Sequence, residues 1–249
     1  MTQEPMTRTE RGRQYRLDDA LAAARGLLAE RGVDGVTMTA VARQLGVSGP
    51  ALYQYFDGRT GLLRATYDDV MDDLLAFLGE TVARQDPDDL AAQVHAGTHA
   101  IFAWCRGHKH EFDLLMGSSF RKVARASEGV RETIAQRLGG AWVPTFERIW
   151  RSGVEFRADD EIPAPLREQL VAYREVLLRD HPGAGPGFPL GAVYVLYKGW
   201  RMIFGLLCMV AYDQIDYVFG DFEAVFADLM DDLFTLIGIP PSDGVRLAG

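Results

Sequence analysis

The sequence predicts an all-α protein, with a three-helix, helix-turn-helix domain at the N-terminus and a larger helical domain behind it. Three observations carry that reading. No strand-like alternation persists anywhere in the 249 residues, and no internal repeat is visible. Residues 37–59, TMTAVARQLGVSGPALYQYFDGR, read as two short helices around a tight turn. Near the end, Phe222, Val225, Phe226, Leu229, Met230, Leu233, Phe234 and Ile237 recur at helical spacing, the stripe of an amphipathic helix.

The first sixteen residues are polar and carry Arg8, Arg11, Arg13 and Arg16. They read either as a flexible tail or as an arm that follows phosphates or a narrow minor groove. Leu17, Ala20, Leu21, Ala24, Leu27 and Leu28 then trace an amphipathic helix ending at Arg31-Gly32. Thr37 is an N-cap whose side-chain oxygen can accept an orphan backbone N–H. Met38, Val41, Ala42 and Leu45 give the next helix one buried face, and Gly46 stops it because glycine takes φ > 0 without strain. Ser48 is placed to cap a second helix, with Pro50 in its first turn, where a missing N–H costs nothing. Leu52 and Phe56 point to the core, while Tyr53, Gln54 and Tyr55 lie largely off that line. A pair of this size places its second helix in the DNA major groove.

After Arg59 a long helix runs to about Arg84, and Asp86-Pro87-Asp88 breaks it before another helix through about Cys105. A short segment follows over Glu111 to Met116, then helical patterns around 121–138 and 141–152. Pro144 either kinks the latter or sits near its start. Residues 164–179 form a further helix, and HPGAGPGFP (181–189) cannot hold a regular element. Residues 190–212 are apolar nearly all round. Lys198 and Arg201 near their centre would cost several kcal/mol in hydrocarbon, which favours a helix buried in a bundle.

The runs Thr37-Met38-Thr39-Ala40-Val41-Ala42, Gly46-Val47-Ser48 and Ala51-Leu52-Tyr53-Gln54-Tyr55-Phe56 resemble the DNA-binding signature of the TetR family of bacterial one-component regulators. The resemblance covers roughly residues 15–75. It implies that Tyr53 contacts a phosphate and that Phe56 closes the domain core. Arg59 stands at the place of the family's phosphate-contacting lysine and keeps its charge. Gly61 stands where an acidic residue is common, which leaves that helix start less supported. The implied DNA-facing set is Thr37, Thr39, Arg43, Ser48, Gly49, Pro50, Ala51, Tyr53, Gln54, Tyr55 and Arg59. The resemblance also implies a homodimer through the last two helices, with Phe204, Leu207, Phe222, Phe226, Leu229 and Leu233 at the interface. Trp200, Phe204 and Gly205 resemble a Trp-x-x-x-His-Gly feature of one C-terminal class, with Phe204 in place of the histidine. The expected domains are an arm over 1–16, the helix-turn-helix domain over 17–65, a ligand-binding and dimerisation domain over 66–240, and a tail over 241–249.

The net charge of −9 is unevenly spread. Residues 1–65 hold nine Arg, no Lys and seven acids, a balance of +2, leaving −11 for the rest. Only the N-terminal part can approach a polyanion comfortably, and the acidic body orients that end toward DNA. A 48% hydrophobic content allows a sizeable core, two cysteines exclude a disulfide framework, and the polar N-terminus predicts no signal peptide, so a cytoplasmic protein is expected.

The middle of the chain is aromatic. Phe102, Trp104, Phe112, Met116, Trp142, Phe146, Tyr173, Tyr197 and Trp200 suit the walls of an apolar pocket for a flat hydrophobic ligand, and equally an ordinary core. His95, His99, His108 and His110 surround Cys105, and His95 and His99 share a helix face at chelating spacing, but no third ligand follows at a defined spacing. No nucleophile elbow, phosphate-binding loop or carboxylate pair stands out, so no enzyme activity, cofactor or metal is expected. The functional expectation is a ligand-responsive transcriptional regulator, most often a repressor in such a family. It would bind a palindromic operator in double-stranded DNA as a homodimer, released by a small hydrophobic or aromatic effector, with helix 59–84 as the lever. The alternative is a DNA-binding activator or architectural protein without an effector. A weaker one is a metal-dependent helical enzyme using the histidine cluster.

Overall fold

The computed structural model describes residues 8–126, 130–185, 187–215 and 219–242. Among them there is no strand, and the all-α expectation holds. Two compact units divide the chain: residues 1–72 with 108–128, and residues 73–107 with 129–249.

The first unit is built on α1 (Arg8–Gly35), α2 (Met38–Leu45), α3 (Gly49–Leu52) and the first half of α4 (Gly58–Ala83). Residues 8–16 are helical and continuous with α1, where a flexible arm is the sequence expectation. Glu10, Arg11, Arg13, Gln14 and Arg16 are adequate helix formers with no proline among them, so an existing helix extends through them at little cost. Residues 1–7 lie outside the described residues. Gly32, at φ 65°, ends the regular part of α1 where Arg31-Gly32 predicts it.

The unit's core joins Ala20, Ala24, Leu27 and Leu28 to Met38 and Val41, Leu52, Phe56, and Leu62, Leu63, Val70 and Met71. Two later helices belong to it as well, α6 (Lys109–Leu115) and α7 (Phe120–Ala126). α6 packs on α1, burying Phe112, Leu114 and Leu115. Tyr67 of α4 meets Phe120 at 6.2 Å between ring centroids. The unit is therefore larger than residues 17–65, because a short helix shows its apolar face in sequence without showing its partner.

The second unit holds the rest of α4, α5 (Leu90–Gly107), α8 (Val130–Thr133), α9 (Val143–Arg151), α10 (Ala164–Leu177), α11 (Leu190–Ala211) and α12 (Phe222–Ile237). Between α8 and α9 the backbone widens into a π-helix over Ile134–Gly139 and tightens into a 3₁₀ turn over Gly140–Trp142. Pro144 then sits in the first turn of α9, so it starts a helix rather than kinking one. The α4–α5 turn is held from two sides. Buried Gln93 donates to Asp86 O at 2.8 Å and Pro87 O at 3.0 Å, and Arg148 of α9 donates to Gln93 Oε1 and Pro87 O. α11 is long and apolar enough to cross a membrane by length and composition alone. Its inner face is buried in the bundle against α5, α10 and α12.

Candidate nucleic-acid interface and effector cavity

The surface expected to face DNA is built by caps. Thr37 takes an extended conformation (φ −133°, ψ 151°), and the Ala40 N–H donates to its Oγ1 at 3.1 Å. Gly46, at φ 67°, ends α2, and the Val47 N–H donates back to Ala42 O at 3.0 Å. Ser48 occupies the N-cap position of α3, but its side chain makes no capping bond, contrary to the sequence expectation. The cause is Pro50: it removes the N2 donor, and the N3 donor, Ala51 N–H, already bonds the Ser48 carbonyl at 3.0 Å. The second helix is also shorter than expected, one turn of α-helix followed by turns through Tyr55.

This local geometry sorts the motif into two sides. Leu52 and Phe56 are 2% and 4% exposed, whereas Tyr53 is 63% exposed. Thr39, Arg43, Ser48, Pro50 and Gln54 are exposed, and Thr37, Gly49, Ala51 and Tyr55 are half-buried. Together they present hydroxyls, an amide and a guanidinium, the groups that reach phosphates and base edges.

Arg59 is placed differently from the expectation of a phosphate contact. Its Nε donates to Val36 O and its Nη2 to Val33 O, both at 2.9 Å, and Nη2 lies 3.7 Å from Asp34. A guanidinium reaches two carbonyls at once because its donors form a planar fork, so the side chain closes the end of α1 onto the start of α4. Asp34 is bound on its other side by Lys122 of α7, at 2.8 Å and 3.0 Å. The Lys122 hydrogen bond and charge, helped by Arg59, hold the Asp34 carboxyl below its ordinary range.

The predicted ligand set is divided between the two units. Phe112 and Met116 are buried in the first unit and the others belong to the second. Phe102 packs on Phe222 and Phe226 at 5.6 and 5.3 Å, Phe146 stacks on Phe156, and Trp200 stacks on Phe204. Trp104 is buried, Tyr197 lies under Arg201, and Tyr173, whose hydroxyl burial pushes up in pKa, sits beside Gly139. Aromatic rings at helical spacing are core material first. Of the set, Trp142 lines a cavity of about 440 Å³ in the second unit.

The lining of that cavity is of two chemical kinds. Leu75, Leu78 and Val82 of α4, with Trp142, are apolar; Gln136, Arg137, Thr145, Asp180 and His181 are polar. Gln136 Nε2 donates to Asp180 Oδ2 at 2.8 Å. Gly97 lets the indole lie against α5, since a Cβ there would fall 2.7 Å from Trp142 Cη2. Sequence reasoning missed the polar residues because none belongs to a motif; the Gly139-Gly140 pair beside Trp142 was the one available signal.

The four histidines separate, His108 and His110 in the first unit, His95 and His99 in the second. His95 and His99 stack at 6.2 Å and both meet the edge of Phe226, while His99 Nε2 lies 3.5 Å from Glu223. Burial, then His99, lowers the His95 pKa. Among the described residues no group of three metal-ligating side chains is placed to hold an ion. Burial raises the Cys105 thiol, which removes its nucleophilic character.

Three of the six candidate interface residues are already committed. Leu207, Phe226 and Leu233 are 0%, 2% and 4% exposed. Leu233 packs where a Cβ on Gly199 would come within 2.9 Å of it, and Phe226 sits between the two histidines and Phe102. The apolar stripe of α12 is spent first on its own bundle. Phe204, Phe222 and Leu229 remain half-buried, and Gly205 and Met209 of α11 and Tyr212 at its C-terminal cap are exposed.

Residues 20–66 match the family model of the bacterial regulatory proteins of the tetR family. The chain is 35% identical over 128 residues to the uncharacterised HTH-type transcriptional regulator Rv0681 of Mycobacterium tuberculosis, a match spanning 51% of this chain and about half, 54%, of that protein. Among solved structures, that of the regulatory protein SCO4313 superposes with a TM-score of 0.65 at 23% identity, covering 93% of this chain and all of that one. A protein of unknown function from Rhodococcus sp. RHA1 superposes at 0.56 and 19% identity, covering 88% and 93% of the two chains. Both share the fold.

Proposed function

We propose that this chain, whose residues 20–66 match the tetR family model, is a TetR family transcriptional regulator that acts in the cytoplasm as a homodimeric repressor. It binds a palindromic operator and is released by a small amphipathic effector. The observation that carries the DNA half is the two-sided motif: Leu52 and Phe56 are buried while Tyr53, Gln54, Arg43 and Thr39 face outward. The effector half is supported by the cavity, which is lined by apolar residues of α4 together with polar residues from later in the chain. A flat ring against Trp142 and Leu78, with one polar end toward Gln136 and Thr145, suits it.

The dimer uses the faces left over by the bundle, with Gly205 and Met209 of α11, Tyr212 at its C-terminal cap, and Val225, Leu229 and Leu236 of α12. Effector binding favours one of two spacings of the DNA-binding heads, and α4, which carries residues of both units, transmits the choice. A few kcal/mol of differential affinity suffices, because populations respond exponentially.

Selection from a random duplex library tests the reading. The expected product is a palindrome protected over two symmetric half-sites, with two chains on one duplex. Tyr53→Phe should weaken every duplex by about 1 kcal/mol, a phosphate bond carrying no sequence information, while Gln54→Ala should change base preference. Enrichment of a single asymmetric site bound by one chain would refute it.

A further inference from the structure

Seven large apolar side chains remain exposed among the described residues, and two of them, Val47 at 44% and Tyr53 at 63%, flank α3. Tyr53 has a hydroxyl for a phosphate. Val47 has no polar atom, and its exposure lacks an obvious local cause. Its N–H, donated to Ala42 O, completes the end of α2, but that bond needs only the backbone. The hydrophobic contact that often accompanies such a helix end would be with Ala42, a single methyl group, and cannot cover a valine.

Val47 directly precedes the N-cap of α3, and the N-terminal residues of a recognition helix are those that contact base edges. The ground around it is low. A Cβ built on Gly46 or Gly49 would meet nothing within 4 Å, and Pro50 adds exposed apolar surface on the same turn. A base edge can therefore approach this turn closely. In the major groove the one apolar feature among the four base-pair edges is the C5-methyl group of thymine. We infer that Val47 reads a thymine methyl in each half-site of the operator. This rests on the DNA-binding reading above and adds a base that the polar side chains of the motif do not specify.

Deoxyuridine substitution tests it, because uracil differs from thymine only by that methyl. The probe is the duplex recovered by selection with the intact protein, with each thymine replaced in turn, symmetrically in both half-sites. One position per half-site should weaken wild-type binding by about fourfold per methyl, the equivalent of one buried methylene. In Val47→Ala that penalty should disappear while penalties at other thymines persist. Val47→Thr, which keeps the branched shape and one methyl, should retain part of it. Each comparison is made within one variant, so a general loss of affinity or stability cancels. An unchanged deoxyuridine profile in Val47→Ala overturns the inference and leaves DNA binding standing. Failure to enrich any duplex overturns both.

Discussion

Arg59→Ala separates a structural from a DNA-contacting role for the residue that departs most from its expectation. The guanidinium donates two hydrogen bonds at 2.9 Å, to Val36 O and Val33 O. Charge-assisted bonds contribute about 1.5–3 kcal/mol each when shielded. The side chain is 41% exposed, so solvent screening reduces the pair to about 2 kcal/mol in total. All four tryptophans (104, 142, 150 and 200) lie in the second unit, whereas far-UV ellipticity reports both units. In a urea titration Arg59→Ala should therefore advance an early loss of ellipticity and leave the tryptophan transition unmoved. Arg59→Lys should recover less than half of the loss, since an ammonium is a point charge and cannot span two carbonyls. If neither variant changes unfolding, and lysine restores operator affinity that alanine loses, Arg59 is a phosphate contact and the structural account is wrong.

Other perturbations follow from the second unit. Gly97→Ala puts a methyl 2.7 Å from the Trp142 ring and 3.1 Å from Val82, so the indole must shift at the cavity wall; overpacking costs about 1–3 kcal/mol, and binding of an apolar fluorescent dye should fall severalfold with altered tryptophan emission. His95 has a depressed pKa when folded, so the unfolded chain binds more protons below pH about 6.5, and stability should decline as pH falls from there; His99 and Glu223 face the same ring, and His95→Phe should flatten that slope in urea titrations at pH 7 and pH 5.5. Leu229→Glu should give a folded monomer by sedimentation, whereas Phe226→Glu should unfold the second unit, because a carboxylate there lies among His95, His99 and Phe102 rather than at an interface.

What was legible in the sequence is what local chemistry decides. Thr37, Gly46 and the Asp86-Pro87-Asp88 break act within a few residues, and the helix limits near Arg31, Gly46, Ala83 and Gly107 fall within a few residues of where those signals place them. The outward Tyr53 and inward Leu52 and Phe56 fall where helical periodicity predicts them, although α3 itself ends at Leu52 and turns carry the chain on to Phe56. What was not legible depends on partners distant in sequence. Phe112 belongs to the first unit because α6 packs on α1, and Phe226 belongs to a core because α5 brings His95, His99 and Phe102 to it. An apolar stripe says that a face is covered and not by what. Ser48 shows the same limit at short range, since its capping role depends on whether residue 50 has an N–H to give. The polar cavity residues escaped because Gln136 and Asp180 meet only through the fold.

The central claim, that two copies of this head hold one duplex through several phosphate contacts each, is tested most directly by the salt dependence of binding. The intact protein is titrated onto the selected duplex across a series of salt concentrations. A homodimer of this design predicts a plot of log affinity against log salt with a slope of roughly −4 to −8 and two chains per duplex. A slope near zero, or equal affinity for single strands, would contradict it.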